Sequence, residues 1–179
     1  NFYKNTFHHI YNRGAFKEII FNSHVDYDYF LRKLKEYKDK YLIEILCYCL
    51  MPNHYHLFIK QTTEEYSISK FIADFSNSFT KGLNKKYKRS GVLFEGKTKS
   101  KMITDESYFK WVVKYILENP VKANLTNNFL DYEYSSSKEI MGLKEPVITS
   151  ISELLSFFDS KESFKKYMLD RNQKYDYEF

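Results

Sequence analysis

Apolar and polar residues alternate along this chain with two different periods, and the switches between them mark out the elements. Residues 6–11 (TFHHIY) are rich in aromatic and β-branched side chains and stop at Asn12-Arg13-Gly14, a turn signal, which predicts a first strand. Ser23 stands as an N-cap with Asp26 three residues on. Beyond it Tyr27, Phe30, Leu31, Leu34, Tyr37 and Tyr41 recur at helical spacing with charged residues between them, which predicts an amphipathic helix lying on a sheet. Residues 42–50 (LIEILCYCL) and 54–60 (HYHLFIK) read as two strands of a hairpin joined through Met51-Pro52-Asn53. Ile68, Phe71, Ile72, Phe75, Phe79 and Leu83 return to the helical period and predict a second long helix over residues 68–87.

Val92-Leu93-Phe94 and residues 100–103 flank a glycine turn and the basic KTK, and are expected to form an extended or hairpin segment that carries charge outward. Tyr108, Trp111, Val112, Tyr115 and Ile116 mark the inner side of a third helix over residues 105–118, stopped by Asn119-Pro120. The order β-α-β-β-α-β-α predicts an α+β fold: a ferredoxin-like split β-α-β sandwich with an antiparallel sheet, plus an added helix. Past Tyr132 the pattern weakens. Ser135-Ser136-Ser137 and residues 142–146 read as linker, Ser150 opens a short helix through a capping box, and another helix is expected over residues 161–171. Residues 1–137 are therefore expected to be one domain, with 138–179 a linker and short helical appendage.

Composition changes this picture little. With 5 glycines, 3 prolines and 43% hydrophobic residues in 179, compact order is expected nearly throughout. No apolar run approaches the roughly 20 residues of a membrane helix, and the polar start lacks a secretory core, so a soluble, cytoplasmic protein is expected. Cys47 and Cys49 fall on one face of a strand, where a mutual disulfide has poor geometry; reduced core thiols are expected.

Charge distribution says more. The net charge is +5, yet Lys81, Lys85, Lys86, Lys88, Arg89, Lys97, Lys99 and Lys101 face a single acid, Glu95, within one window. Such a run is either a solvated face or a polyanion-binding segment, and its concentration in one place raises the second reading.

The chemistry centres on residues 51–60, MPNHYHLFIK. Residues i and i+2 of a strand share a face, so His54 and His56 converge while Tyr55 points into the core. This is a two-histidine half-site for a metal; spacing alone leaves open whether it is one or an accidental pair. His8 and His9 point to opposite faces of the first strand; either could approach a site, with ordinary polar strand positions the favoured reading. Tyr115 and Asn119, one helical turn apart, offer a hard amide oxygen and a nucleophile, although a tyrosine among 17 and an asparagine before proline are ordinary as well. Two imidazoles and an amide would leave coordination positions for a phosphate oxygen, and Tyr115 could then attack phosphorus.

HIYNRG at 9–14, CLMPNHYHLFIK at 49–60, SGVLFEGK at 90–97 and YILENPVKANL at 115–125 together resemble the HUH single-tyrosine transposases, and within them the REP-associated branch. The resemblance spans roughly residues 6–137. It implies His54, His56 and Asn119 as metal ligands and Tyr115 as the nucleophile that forms a 5′-phosphotyrosine link; mixed imidazole and amide ligation favours Mg²⁺ or Mn²⁺, while imidazole alone leaves Zn²⁺ or Ni²⁺ open. It also implies a single-stranded or hairpin DNA partner held by Asn12, Arg13 and the basic segment, and a chain acting as a monomer, dimers being known among insertion-sequence relatives. KTKS at 97–100 departs from the family's arginine-aromatic-lysine-serine pattern and puts Thr98 in doubt. A domesticated DNA-binding protein of the same fold is the alternative from another class; rolling-circle initiation fits a short chain less well.

Overall fold

The structure, a computed structural model, describes residues 3–170. Its elements in order are β1 (Thr6–Arg13), α1 (His24–Lys40), β2 (Ile43–Met51), β3 (His54–Gln61), α2 (Ile68–Lys86), β4 (Lys99–Ile103), α3 (Glu106–Lys122), α4 (Ser137–Ile140), α5 (Ile151–Leu155) and α6 (Lys161–Leu169). The sheet runs β2-β3-β1-β4 with every neighbouring pair antiparallel, the strand order of the split β-α-β sandwich expected from the sequence. Among the described residues no helix is long and apolar enough to cross a membrane.

Strand alternation divides the core in two. Ile10, Ile45, Tyr48, Leu50, Tyr55, Leu57 and Ile59 face α1 and α2, meeting Phe30, Phe71, Phe75 and Phe79. Cys47, Cys49, Met51 and Phe58 face the other way, against Phe109, Val112, Val113 and Ile116 of α3. A register shift between Ile45 and Cys47 puts Leu46 and Cys47 on the same side. Both cysteines are buried free thiols.

Ser23 and Asp26 open α1 as expected, with Asp26 Oδ2 accepting from the Ser23 N–H at 3.1 Å. Three expectations are corrected. β1 runs on to Arg13 rather than stopping at Tyr11, because β3 pairs with it through Arg13↔His54. Val92–Phe94 forms no hairpin with β4; β4 pairs with β1 instead, while Ala15 N–H donates to the Leu93 carbonyl at 2.9 Å. Helix α3 also continues through Pro120 to Lys122, since proline near a helix end forfeits one backbone bond without halting the next turn.

The tail departs furthest from expectation. Ser135, Ser136 and Ser137, read as linker, are buried, and Ser136 Oγ accepts from the Tyr48 N–H at 3.0 Å. Glu139, 1% exposed, accepts from the Tyr48 hydroxyl and the Thr149 hydroxyl, both at 2.7 Å. Ile140, Leu154, Phe158, Phe164 and Met168 complete the core under α3. Helix α6 is described to Leu169; Arg171, where it was expected to end, lies outside the described residues.

Candidate active site

The strand and the helix meet. His54 and His56 project from β3 on the face that α3 covers, and Tyr115 and Asn119 descend from α3 one turn apart. The Tyr115 ring stands edge-on to His56 with centroids 5.5 Å apart, and His54 Nε2 lies 3.4 Å from Asn119 Oδ1. These four residues, with Tyr11, Arg13, Glu95 and Lys99, line a cavity of about 400 Å³.

Local backbone contacts explain why His54 sits where it does. The turn before β3 is held from outside: Gly14 N–H donates to the Asn53 carbonyl at 2.8 Å, and Ile20 N–H to the Pro52 carbonyl at 2.8 Å. A Cβ at Gly14 would run into the Glu18 carbonyl, so only glycine lets this loop close on the turn. Asn53 Nδ2 donates to the Lys17 carbonyl at 3.3 Å, which orients its Oδ1 to His54 Nδ1 at 2.8 Å.

A neutral imidazole has one N–H to give. Burial lowers the His54 pKa, a shift that the Asn119 contact opposes and Arg13 reinforces, so the neutral ring is favoured. Both Asn53 Oδ1, at Nδ1, and Asn119 Oδ1, at Nε2, can only accept, so a neutral His54 satisfies one of them and turns a lone pair on the other. The Asn119 oxygen is fixed in turn, because Asn119 Nδ2 donates to the Tyr115 carbonyl at 3.0 Å. With the proton on Nδ1, the Nε2 lone pair and the Asn119 oxygen face each other, a pair of donors that suits a cation. Among the described residues no three His, Cys, Asp or Glu side chains are grouped to hold a metal; the Asn119 amide oxygen is the oxygen nearest His54 Nε2 on the α3 side.

His56 is 5% exposed, and burial, then the neighbouring His9 and His54, lower its pKa well below the ordinary histidine value. Its Nδ1 lies 2.9 Å from His9 Nε2. Burial raises the Tyr115 phenol, and a hydrogen bond with Asn119 pulls the other way. Trp111 stacks on the Tyr115 ring at 5.3 Å, and the Lys122 ammonium sits 5.2 Å from its centroid.

The DNA-binding expectation divides. Lys99 lines the cavity, its ammonium 5.7 Å from the Tyr11 ring, and Lys81, Lys85, Lys88 and Lys97 are exposed. Arg13 is exposed at the mouth and paired with Glu95. Lys101 on β4 is partly exposed. Lys86 is spent on Asp26, a carboxylate 0% exposed, at 2.6 Å, and Arg89 donates to Asn84 at 2.9 Å. Asn12 is turned inward: it is 7% exposed, with Oδ1 accepting from the Arg13 N–H and Nδ2 donating to Thr98 at 3.0 Å. Thr98, placed in doubt by the sequence, is thus the partner that locks Asn12.

His9 is the residue whose setting the sequence did not reveal. Alternation put it on one face of β1 with Tyr11, but only the β1–β3 register, Tyr11↔His56, shows that this face is the one carrying His56.

Residues 2–119 match the family model described as "Transposase IS200 like". Among solved structures, that of a REP-associated tyrosine transposase bound to a REP hairpin superposes with a TM-score of 0.68 at 16% identity, covering 83% of this chain and 87% of that one. At that identity the likeness is one of fold. A candidate transposase of Deinococcus radiodurans R1 is similar at a TM-score of 0.47 and 16% identity, over 65% of this chain and 91% of that one. No curated protein sequence matches.

Proposed function

This chain belongs to the IS200-like transposase family, and from that membership we propose that it cuts and rejoins single-stranded or hairpin DNA, with Tyr115 as the nucleophile. The observation that supports this reading is the facing of His54 Nε2 and Asn119 Oδ1 at 3.4 Å with Tyr115 one turn away, because it gathers a phosphate-activating centre and an attacking oxygen in one cavity. Tyr115 Oη attacks phosphorus, the P–O3′ bond breaks as the tyrosyl ester forms, and the phenol proton is lost while the departing 3′ oxygen gains one. The ester stays on the 5′ side and retains the energy for rejoining, since a 3′ hydroxyl reverses the same step.

His54, His56 and Asn119 would hold the divalent ion, Mg²⁺ or Mn²⁺, which when bound supplies positive charge that polarises the phosphate and favours the phenolate. This chain's own contribution is placement. Asn53 keeps the His54 lone pair turned inward, Asn119 spans His54 and the Tyr115 backbone, and Trp111 and His56 bracket the phenol ring. Lys99 and Lys97, with Lys81, Lys85 and Lys88 further out, attract the phosphate backbone without reading sequence. The partner is proposed to be hairpin DNA of the kind carried by the REP-associated relative, met by a monomer of this chain.

A Tyr115→Phe variant tests the reading. With labelled hairpin DNA and Mn²⁺ it is expected to bind as the parent does and to leave no covalent adduct on a denaturing gel. An adduct that persists removes Tyr115 from the role; a parent chain that binds but forms none across a hairpin panel leaves a DNA-binding protein in place of the transposase.

A further inference from the structure

The two histidines of β3 are supported from behind in the same way, and one of the supports is unassigned. His54 Nδ1 is engaged by Asn53 Oδ1 at 2.8 Å, and His56 Nδ1 by His9 Nε2 at 2.9 Å. We propose that His9 is a positioning residue that accepts the Nδ1–H of His56, so that the Nε2 lone pair of His56 remains for the metal. The inference rests on the metal-dependent reading above and assigns a role to a residue that reading does not use.

Several observations converge on it. His9 is 0% exposed, and it is not among the residues that line the cavity, whereas His54, His56, Tyr115 and Asn119 all are. It stands behind the wall, where it can steer His56 without reaching a substrate. An imidazole has two nitrogens, and with Nδ1 of His56 occupied by His9 only Nε2 is left for the site. The alternative tautomer, with His9 donating, would place a hydrogen on His56 Nε2 and close that nitrogen to a cation. Asn53 offers His54 Nδ1 an oxygen that can only accept, so a His9 that accepts makes the two ligands equivalent.

Packing holds His9 in this pose. Its ring stacks on Tyr11 at 4.8 Å, lies edge to edge with His56 at an interplanar angle of 25°, and meets Tyr115 at 5.9 Å, nearly perpendicular. Groups of this kind behind metal-bound histidines fix ring orientation and raise ligand basicity, and their loss costs about 10–100-fold in metal affinity.

The test has two parts. Long-range ¹H–¹⁵N spectra of the metal-free parent chain are expected to show His56 protonated at Nδ1 and bare at Nε2; a proton on Nε2 overturns the proposal with no variant needed. Mn²⁺ titration by calorimetry is then run on the parent, His54→Ala, His9→Gln and His9→Phe. Glutamine offers an acceptor oxygen and is expected to bind within a few-fold of the parent, while phenylalanine, of similar bulk but without an acceptor, loses about 10–100-fold. Equal affinity in parent and His9→Phe refutes the role, as does a His9→Gln chain as weak as His9→Phe. Loss as complete as in His54→Ala would make His9 a ligand instead and equally refute it. A parent that binds no Mn²⁺ removes the metal reading itself, an outcome distinct from the others.

Discussion

Asn119 Oδ1 faces His54 Nε2 at 3.4 Å because the same amide donates to the Tyr115 carbonyl one turn earlier. The contact joins α3 to β3 and sets the amide oxygen beside the His54 ring, where the proposed function gives it the place of third ligand. Asn119→Leu keeps the volume and removes the oxygen. It is expected to weaken Mn²⁺ binding by at least about tenfold, the lower end of what losing even a supporting partner costs, and to slow adduct formation accordingly. Asn119→Asp adds a formal charge to the same position and is expected to bind Mn²⁺ more tightly than the parent. Calorimetry reads both, and a leucine variant with parental affinity would leave the ion to the histidines alone.

Arg13 and Glu95 share the mouth of the cavity with Lys99, so the local field there is mixed. Lys99→Ala is expected to lower affinity for single-stranded DNA uniformly across sequences and to reduce the slope of log K against log salt by ~0.7, one phosphate contact on a single strand. Glu95→Gln does the opposite. It releases Arg13 and removes a negative charge from the phosphate path, and because the pair is solvent-exposed the gain is expected to be no more than about fivefold. Binding measured by fluorescence anisotropy over a salt series separates the two, and a Glu95→Gln chain that binds more weakly would show that Glu95 orders Arg13 for DNA.

Much of this site is legible in the sequence because its parts are short-range. Two-residue spacing alone puts His54 and His56 on one face, and four-residue spacing puts Tyr115 above Asn119. The order of strands and helices follows from period changes, and with it the split β-α-β frame. What stays hidden depends on long-range register or on side chains that serve each other. His9 reaches His56 only through the pairing of β1 with β3, Asn12 turns inward only because Thr98 waits across the sheet, and Lys86 is consumed by a carboxylate sixty residues earlier. The serine run at 135–137 misleads for a related reason. Serines read as linker by composition, yet here Ser136 bonds the Tyr48 backbone on β2 while the hydroxyls of Ser135 and Ser137 pair with each other, which only the tertiary path reveals.

The tail should therefore be inseparable from the catalytic elements. Phe164 and Leu154 are 0% exposed under α3, and the Lys114 ammonium donates to the carbonyls of Tyr167, Met168 and Asp170 at 3.1, 2.8 and 2.6 Å, closing the C-terminal end of α6. A chain ended at residue 137 exposes the core face of α3 and is expected to lose cooperative unfolding and near-ultraviolet circular dichroism. Lys114→Met, milder, keeps the length of the side chain but not the donor, and is expected to cost ~1–3 kcal/mol in urea unfolding. A truncated chain that unfolds cooperatively with the parental midpoint would instead bear out residues 138–179 as an appendage.

Acid sensitivity has a source outside the site. His8 is 6% exposed on β1; its Nε2–H donates to Thr6 Oγ1 at 3.0 Å, and that hydroxyl donates on to the Tyr3 carbonyl at 2.6 Å. Burial lowers the His8 pKa to about 4 from the ordinary 6.5. As pH falls through about 6.5 the unfolded chain takes a proton there, while the folded chain refuses it until about pH 4. Between those values the unfolded state holds more protons, so stability falls with falling pH, by at most ~1.4 kcal/mol per pH unit from this group. Above about 6.5 neither state is protonated and the group contributes no slope. His8→Gln keeps an N–H for Thr6 without a titrating ring, and is expected to flatten the loss of unfolding free energy between pH 6.5 and 4.5 relative to the parent. Parallel stability curves for the two chains over that range, measured by urea unfolding, would mean that His8 takes its proton in the folded state as readily as in the unfolded one.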